Sequence, residues 1–207
     1  MKMERESMKN KQLIISVGRE YGSGGHAIAV ELARRFELPV FDRNILKTIA
    51  DAKHVDVENL EPYDEVPRNW LFSRKVRGHS SAPEEHVAHM QFNFLRKKAE
   101  NGDSFVIVGR CAETVLRGQK GLVSIFILGD RERKIERIER IYQLNREDAE
   151  HKLDRIDKKR KTYHNYYCDI KWGDSRNYDV SINSSRLGVE RTVDMLELYI
   201  QERMKDL

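Results

Sequence analysis

An apolar run, a glycine-rich nonapeptide and an amphipathic stretch follow one another without interruption between residues 13 and 36. Leu13-Ile14-Ile15-Ser16-Val17 is continuous rather than alternating, the pattern of a strand buried on both faces. Residues 26–36 carry Ile28, Leu32 and Phe36 four positions apart, which lays an apolar stripe along one side of a helix. The connection between them is Gly18-Arg19-Glu20-Tyr21-Gly22-Ser23-Gly24-Gly25-His26. Glycines let backbone N–H groups converge on an anion, and the helix start adds unpaired donors and about half a positive charge. A strand, a glycine-rich turn and a helix in that order form a phosphate-loop context.

The rest of the chain repeats the alternation. Short apolar runs at 39–41, 105–108 and 123–128, with a weaker one at 178–182, alternate with helix-like stretches at 86–99, 131–144, 146–163 and 188–204. This predicts an α/β fold: a parallel sheet of about five strands flanked by helices. Two segments exceed a minimal crossover plan. Residues 44–90 carry three prolines and Trp70, and residues 131–163 form a highly charged helix pair with Asn145 as the cap of its second member. Both follow the carboxyl end of a strand, where ligands bind in open α/β sheets, so both are expected to cover a site. With 207 residues, no internal repeat and no linker composition, a single domain follows, preceded by a polar tail at 1–11.

Composition removes several classes. The apolar runs are far shorter than the ~20 residues that cross a bilayer, and the basic start has no h-region behind it, so neither a membrane partner nor export is expected. Cys111 and Cys168 lie far apart with no CxxC, and His86 and His89 lack a third ligand, so no metal-ligand set is identified. A reducing cytoplasm suits such a chain. Charged residues make up 35% of it, yet 38 Lys+Arg against 34 Asp+Glu leave only +4, too little to point to nucleic acid.

The turn departs from G-x-x-x-x-G-K-[ST]. Gly25 stands in the lysine slot, His26 follows, and Ala27 brings no hydroxyl for a magnesium ion. A unit charge 4 Å from a phosphate contributes about 4 kcal/mol at an effective dielectric of 20, a factor of ~10³ in rate. Another cation must substitute, and Arg19 is the candidate; otherwise the chain binds without catalysing.

The chain resembles the cytidylate kinase-like family, relatives of bacterial cytidylate kinase among the P-loop nucleoside monophosphate kinases. The likeness rests on the run 15–25, on Phe41-Asp42-Arg43, on Val106-Ile107-Val108-Gly109-Arg110-Cys111-Ala112, on Trp172-Gly173-Asp174, and on 178–185. It implies an ATP-dependent phosphotransferase, with Mg2+ carried by the nucleotide, acting on CMP or a related small acceptor. Gly22, Ser23, Gly24, Gly25 and His26, with Arg19, would then hold the ATP phosphates. Asp42, Arg43 and Arg110 would orient the acceptor. In the lid, Arg137 would match an arginine of the first helix, and Asp157 and Arg160 the D-x-x-R spacing of the second. Val108 and Cys111 replace two acidic residues of the family pattern, leaving Asp42 or Glu113 to take over.

Two other readings compete. The Gly25, Val108 and Cys111 replacements suit a nucleotide-binding regulator without transfer activity. The basic residues of 131–161 suit an RNA-binding module, although interleaved Glu132, Glu136, Glu139, Glu147 and Glu150 dilute any phosphate-tracking stripe. Among lesser features, Cys111 reads as a small buried residue, Met90, Phe92 and Phe94 as packing, and Trp172 as fixing the turn before the last strand.

Overall fold

A computed structural model describes residues 11–53, 56–66, 75–76, 79–80 and 82–207; most of the expected tail, and Trp70, lie outside them. Five strands, β1 (Ile14–Arg19), β2 (Val40–Phe41), β3 (Phe105–Val108), β4 (Leu122–Leu128) and β5 (Val180–Asn183), form one sheet in the order β2-β3-β1-β4-β5. Every pairing is parallel. β1 is central, with Val17 opposite Val108 on one side and Ile125 on the other.

Side chains along each strand point alternately to the two faces, and each face meets a different helical layer. Ile15 and Val17 of β1, Val106 and Val108 of β3, and Ile125 and Ile127 of β4 pack under α1 (Gly25–Phe36) and the terminal helix α7 (Ser184–Lys205). Ile14, Phe105 and Ile107 pack on the other face against α2 (Ile45–Lys53), α3 (Pro83–Glu100) and the single turn α4 (Ala112–Val115). Continuous apolar sequence in the strands is the consequence of this double cover.

The expected charged helix pair is present as α5 (Arg131–Tyr142) and α6 (Arg146–Tyr167). Ile135 and Ile138 of the first pack on Ala149 and Leu153 of the second, a small core separate from the sheet. Asn145 caps α6, its side chain accepting from the Asp148 amide at 2.8 Å. α6 runs four residues beyond the expected end, because Tyr163 and Cys168 find a further cluster with Ala88, Phe92 and Cys111. The terminal helix starts earlier than expected, at Ser184, although Gly188 leaves helical geometry at φ +76°. In the 44–90 insertion a minimal antiparallel ribbon pairs Lys75–Val76 with His79–Ser80. The turn before β5 is held by Asp179, whose carboxylate accepts from the Ser124 amide and hydroxyl at 2.7 and 2.8 Å, while Trp172 sets its ring edge on Phe126.

Candidate functional site

β1 ends at Arg19, and the chain turns through Tyr21 to Gly24 before α1 begins at Gly25. Gly22 and Gly24 have φ +80° and +81°, the left-handed conformation that glycine adopts without strain. Space demands them as well: a Cβ on Gly22 would sit 2.8 Å from the Lys134 carbonyl oxygen, and one on Gly24 would sit 3.0 Å from Val189. Ser23 faces inward. Its hydroxyl donates to the Glu20 carbonyl at 2.8 Å and accepts from the Gly25 amide at 3.3 Å, so it shapes the turn from within. The Ser184 hydroxyl donates to the Ser23 carbonyl at 2.6 Å, tying the turn to the start of α7.

The helix pair α5–α6 braces the same turn. Asp157 of α6 accepts from the Tyr21 amide at 2.6 Å, and Lys134 of α5 donates to Glu20 at 2.8 Å. Lys134 is 8% exposed, and Glu20 also accepts from the Gly129 amide at 3.1 Å, so this carboxylate links the turn to the end of β4. Lys134 and Glu20 were not legible as site residues. Lys134 sits in a run of alternating charge whose solvated members look identical in sequence, and nothing near Glu20 in the turn announces its distant partner.

Above the turn lies a cavity of ≈460 Å3, lined by residues of the turn, by Asp42 and Arg43 beyond β2, by Arg137 of α5 and Arg160 of α6, and by Arg19. Four arginines against Glu20 and Asp42 make it electropositive. Beside Arg137, the α5 wall is apolar: Ile138 and Ile141 line it, and Tyr21 stacks on Tyr142 with ring centroids 6.1 Å apart. Arg160 donates to the Arg19 carbonyl at 3.2 Å and lies 5.5 Å from the Tyr21 ring centroid, while its buried Nε has no acceptor among the described residues. Burial, and then the nearby Arg140, lower the pKa of Arg137. Elsewhere on α5, Arg131 pairs with Asp154 at 2.6 Å and Arg133 with Glu136 at 2.9 Å. His26 caps nothing, since the helix cap is Gly24; its Nε2 lies 2.9 Å from Asp42 instead. Burial works to raise the pKa of Asp42, but the Asn44 amide and His26 bring it below the ordinary value.

Arg19 and Gly25 are one structural feature. A Cβ on Gly25 would lie 2.5 Å from the Arg19 Cβ and 3.1 Å from its Cγ, so a lysine in that slot and an arginine at 19 exclude each other. The Arg19 side chain also passes over Gly109, where a Cβ would run into its Nη1. Beyond Gly109 the guanidinium lies 3.6 Å from Glu65. Burial, then the positive Arg160, push the Arg19 pKa down to about 9, with Glu65 opposing. An anion beside Arg19 and Arg160 relieves that repulsion.

Arg110 lies beneath the cavity rather than in it. Its side chain is 1% exposed and forms ion pairs with Asp64, at 2.8 Å, and with Glu65. Burial penalises its charge, but Glu65 and Asp64 raise its pKa above the ordinary value. Gly109, Arg110 and Cys111 have successive φ values of +78°, +59° and +55°, and Glu65 has +50°. Left-handed geometry costs about 1–2 kcal/mol for each non-glycine residue, sustained here by the ion pairs it makes possible. Asp64 and Glu65, absent from the sequence-derived site, belong to an insertion whose folding back under β3 has no local signature. Among the sequence-derived residues, then, Arg19, Gly22, Gly24, Gly25, His26, Asp42, Arg43, Arg137 and Arg160 meet at one cavity, while Ser23, Asp157 and Arg110 support it.

Comparison with known proteins agrees with this fold. The sequence matches the cytidylate kinase-like family over residues 14–186. An uncharacterized protein from Eubacterium ventriosum is 37% identical, with a TM-score of 0.72 over 91% of this chain and 98% of its own. Shikimate kinase from Bacteroides thetaiotaomicron shares the fold at 16% identity, with a TM-score of 0.55 over 91% of this chain and 98% of its own. Shikimate kinase from Acinetobacter baumannii, in complex with shikimate, does so at 15% identity and a TM-score of 0.50, over 95% of this chain and 97% of its own. No curated protein matches the sequence.

Two outcomes follow. Gly25→Ala costs about 1–3 kcal/mol in the wild-type background and at least 1 kcal/mol less in an Arg19→Gly background, because the steric partner is then gone; urea unfolding of the four proteins measures this coupling. Glu65 is buried, which favours a raised pKa, but Arg110, then Arg19 and Arg160, hold it at about 2 against 4.5 unfolded. The unfolded chain therefore binds this proton more readily, and the stabilisation is whole above about pH 4.5 and lost as pH falls through about 2. Unfolding midpoints across that window fall less steeply in Glu65→Gln than in wild type.

Proposed function

We propose that this chain, which belongs to the cytidylate kinase-like family, is an ATP-dependent phosphotransferase that moves the γ-phosphoryl group to CMP or a related small phosphate acceptor. The observation that carries this reading is the convergence of the glycine turn with Arg19, Arg43, Arg137 and Arg160 on one cavity at the carboxyl end of the sheet. The amides of Gly22 to His26 and the start of α1 would take the ATP phosphates. Arg137 and Arg160, one from each lid helix, would close on the transferring group, where planar guanidinium forks match phosphate oxygens. Asp42 and Arg43 would orient the acceptor, with Arg110 acting from below by fixing the Glu65 that positions Arg19.

In the transfer, the bond from the γ-phosphorus to the β,γ-bridging oxygen breaks as an acceptor oxygen bonds to the same phosphorus, leaving ADP. An acceptor attacking through a phosphate oxygen needs no base. That suits a cavity whose carboxylates Glu20 and Asp42 are engaged by Lys134 and His26. Positioning and charge carry the rate. The donor set fits a nucleotide-borne magnesium ion sparingly: Ala27 offers no hydroxyl, the Ser23 hydroxyl is turned into the loop, Glu113 is buried against His164, and Asp42 is the carboxylate that would hold it. Magnesium bound with ATP would supply charge neutralisation between its phosphates.

One observation favours a second reading, a nucleotide-binding protein without transfer activity: the Arg19 guanidinium is directed to Glu65, within the buried network. A screen of nucleoside monophosphates and small hydroxyl acceptors with ATP and magnesium, read as acceptor-dependent ADP formation, separates the two. Transfer to a monophosphate is expected, with kcat/KM reduced ~10²–10³-fold in Arg137→Ala. ATP binding with no product from any acceptor overturns the enzyme reading, and unchanged turnover in Arg137→Ala overturns the lid assignment.

A further inference from the structure

Outside the cavity, three side chains with metal-ligand chemistry converge where the end of α6 meets the turn after β3, and Cys111 packs beside them. One oxygen of Glu113, one ring nitrogen of His164 and the sulfur of Cys168 all lie within 4.8 Å of one another. Cys111 packs with Cys168 in one buried cluster, bringing a second sulfur beside the group. All four residues are buried, between 3% and 7% exposed. They come from two short pieces of chain. Cys111 and Glu113 are two apart in the turn that starts α4, while His164 and Cys168 are four apart, one helical turn, at the end of α6. That His-x-x-x-Cys spacing is the sequence signal, and it acquires meaning only when the fold sets it against Cys-x-Glu.

We propose that Glu113, His164 and Cys168, with the neighbouring Cys111 drawn in as fourth ligand, hold one zinc(II)-class divalent ion, which clamps helix α6 to the turn carrying Arg110. Two sulfurs, an imidazole nitrogen and a carboxylate oxygen are the donors a borderline-soft, tetrahedral ion selects over magnesium or calcium. Two thiolates and a carboxylate against a dication leave a net charge of −1 beside the Arg110 cluster. Glu113 and His164 now hydrogen-bond at 2.7 Å. Tetrahedral ligands on zinc at about 2.0–2.2 Å are separated by about 3.3 Å, so the ion replaces the shared proton as the two side chains part by about half an ångström. Binding also expels the two thiol protons, giving net proton release with no redox change. The outer shell is in place: Asn165 lies 3.4 Å from the His164 Nδ1 and accepts from the Trp172 amide at 2.8 Å, and Thr114 lies 3.3 Å from Glu113. The site is independent of whether the cavity transfers phosphate.

The test is a titration of the full-length protein, reduced and stripped with a chelator, with cobalt(II) and then zinc(II). Expected are saturation at one equivalent, the visible bands of tetrahedral cobalt with a thiolate-to-cobalt charge-transfer band, bleaching by zinc, and proton release into weakly buffered solution. Cys168→Ser and Cys111→Ser each roughly halve the charge-transfer intensity, and zinc raises the melting temperature of wild type more than that of either variant. The wild-type titration stands even if a variant fails to fold. Absence of stoichiometric cobalt binding, an octahedral spectrum without charge transfer, or a spectrum unaltered in both cysteine variants overturns the proposal. So does a reduced wild-type protein that takes no metal but loses two hydrogens in air, which makes the cysteines a disulfide-forming pair.

Discussion

The site depends on one close approach: the Arg19 side chain leaving the end of the central strand, over Gly25 and Gly109, to reach Glu65. Strand, helix start and neighbouring strand end all yield space to it. Around its end sit Arg110, Arg160, Asp64 and Glu65, which with Arg19 make a mostly buried set of three cations and two carboxylates. Removing one partner from such a set costs about 3–5 kcal/mol, since the remaining charge has nowhere to go, whereas the intact set adds little net stability. Its value lies in position. It holds a guanidinium near the glycine turn in a chain that has no lysine there, with burial and Arg160 lowering its pKa against Glu65.

Much of the fold was visible in sequence because the forces setting it are local or periodic. Strands covered on both faces must be continuously apolar, which located β1, β3 and β4. The spacing of Ile28, Leu32 and Phe36 located α1, and Asn145 announced the cap it makes. The glycine turn was legible for the same reason: its backbone geometry permits few residues besides glycine.

The rest of the site was set by partners distant in sequence. Arg110 reads as a ligand-facing arginine until Asp64 and Glu65 fold under it from an insertion with no periodic pattern. Asp157 reads as a lid residue facing substrate, but it accepts the Tyr21 amide across the molecule. Lys134 looks like any solvated lysine of a charged helix, although packing of α5 on the turn buries it against Glu20. Charge in sequence reports the presence of an ion, and only the fold assigns its partner. The nearly balanced composition therefore hid a local surplus at one cavity.

Glu20, Lys134 and Asp157 also couple the turn to the lid, so the two grip the same region as one unit. If the cavity is built for phosphate, affinity must come from the phosphates and not from the base. Calorimetric titration with adenosine, AMP, ADP and ATP tests this most directly. The account predicts affinity that climbs with each phosphate and falls with added salt. Equal affinity for adenosine and ATP, or none for ATP, would contradict it.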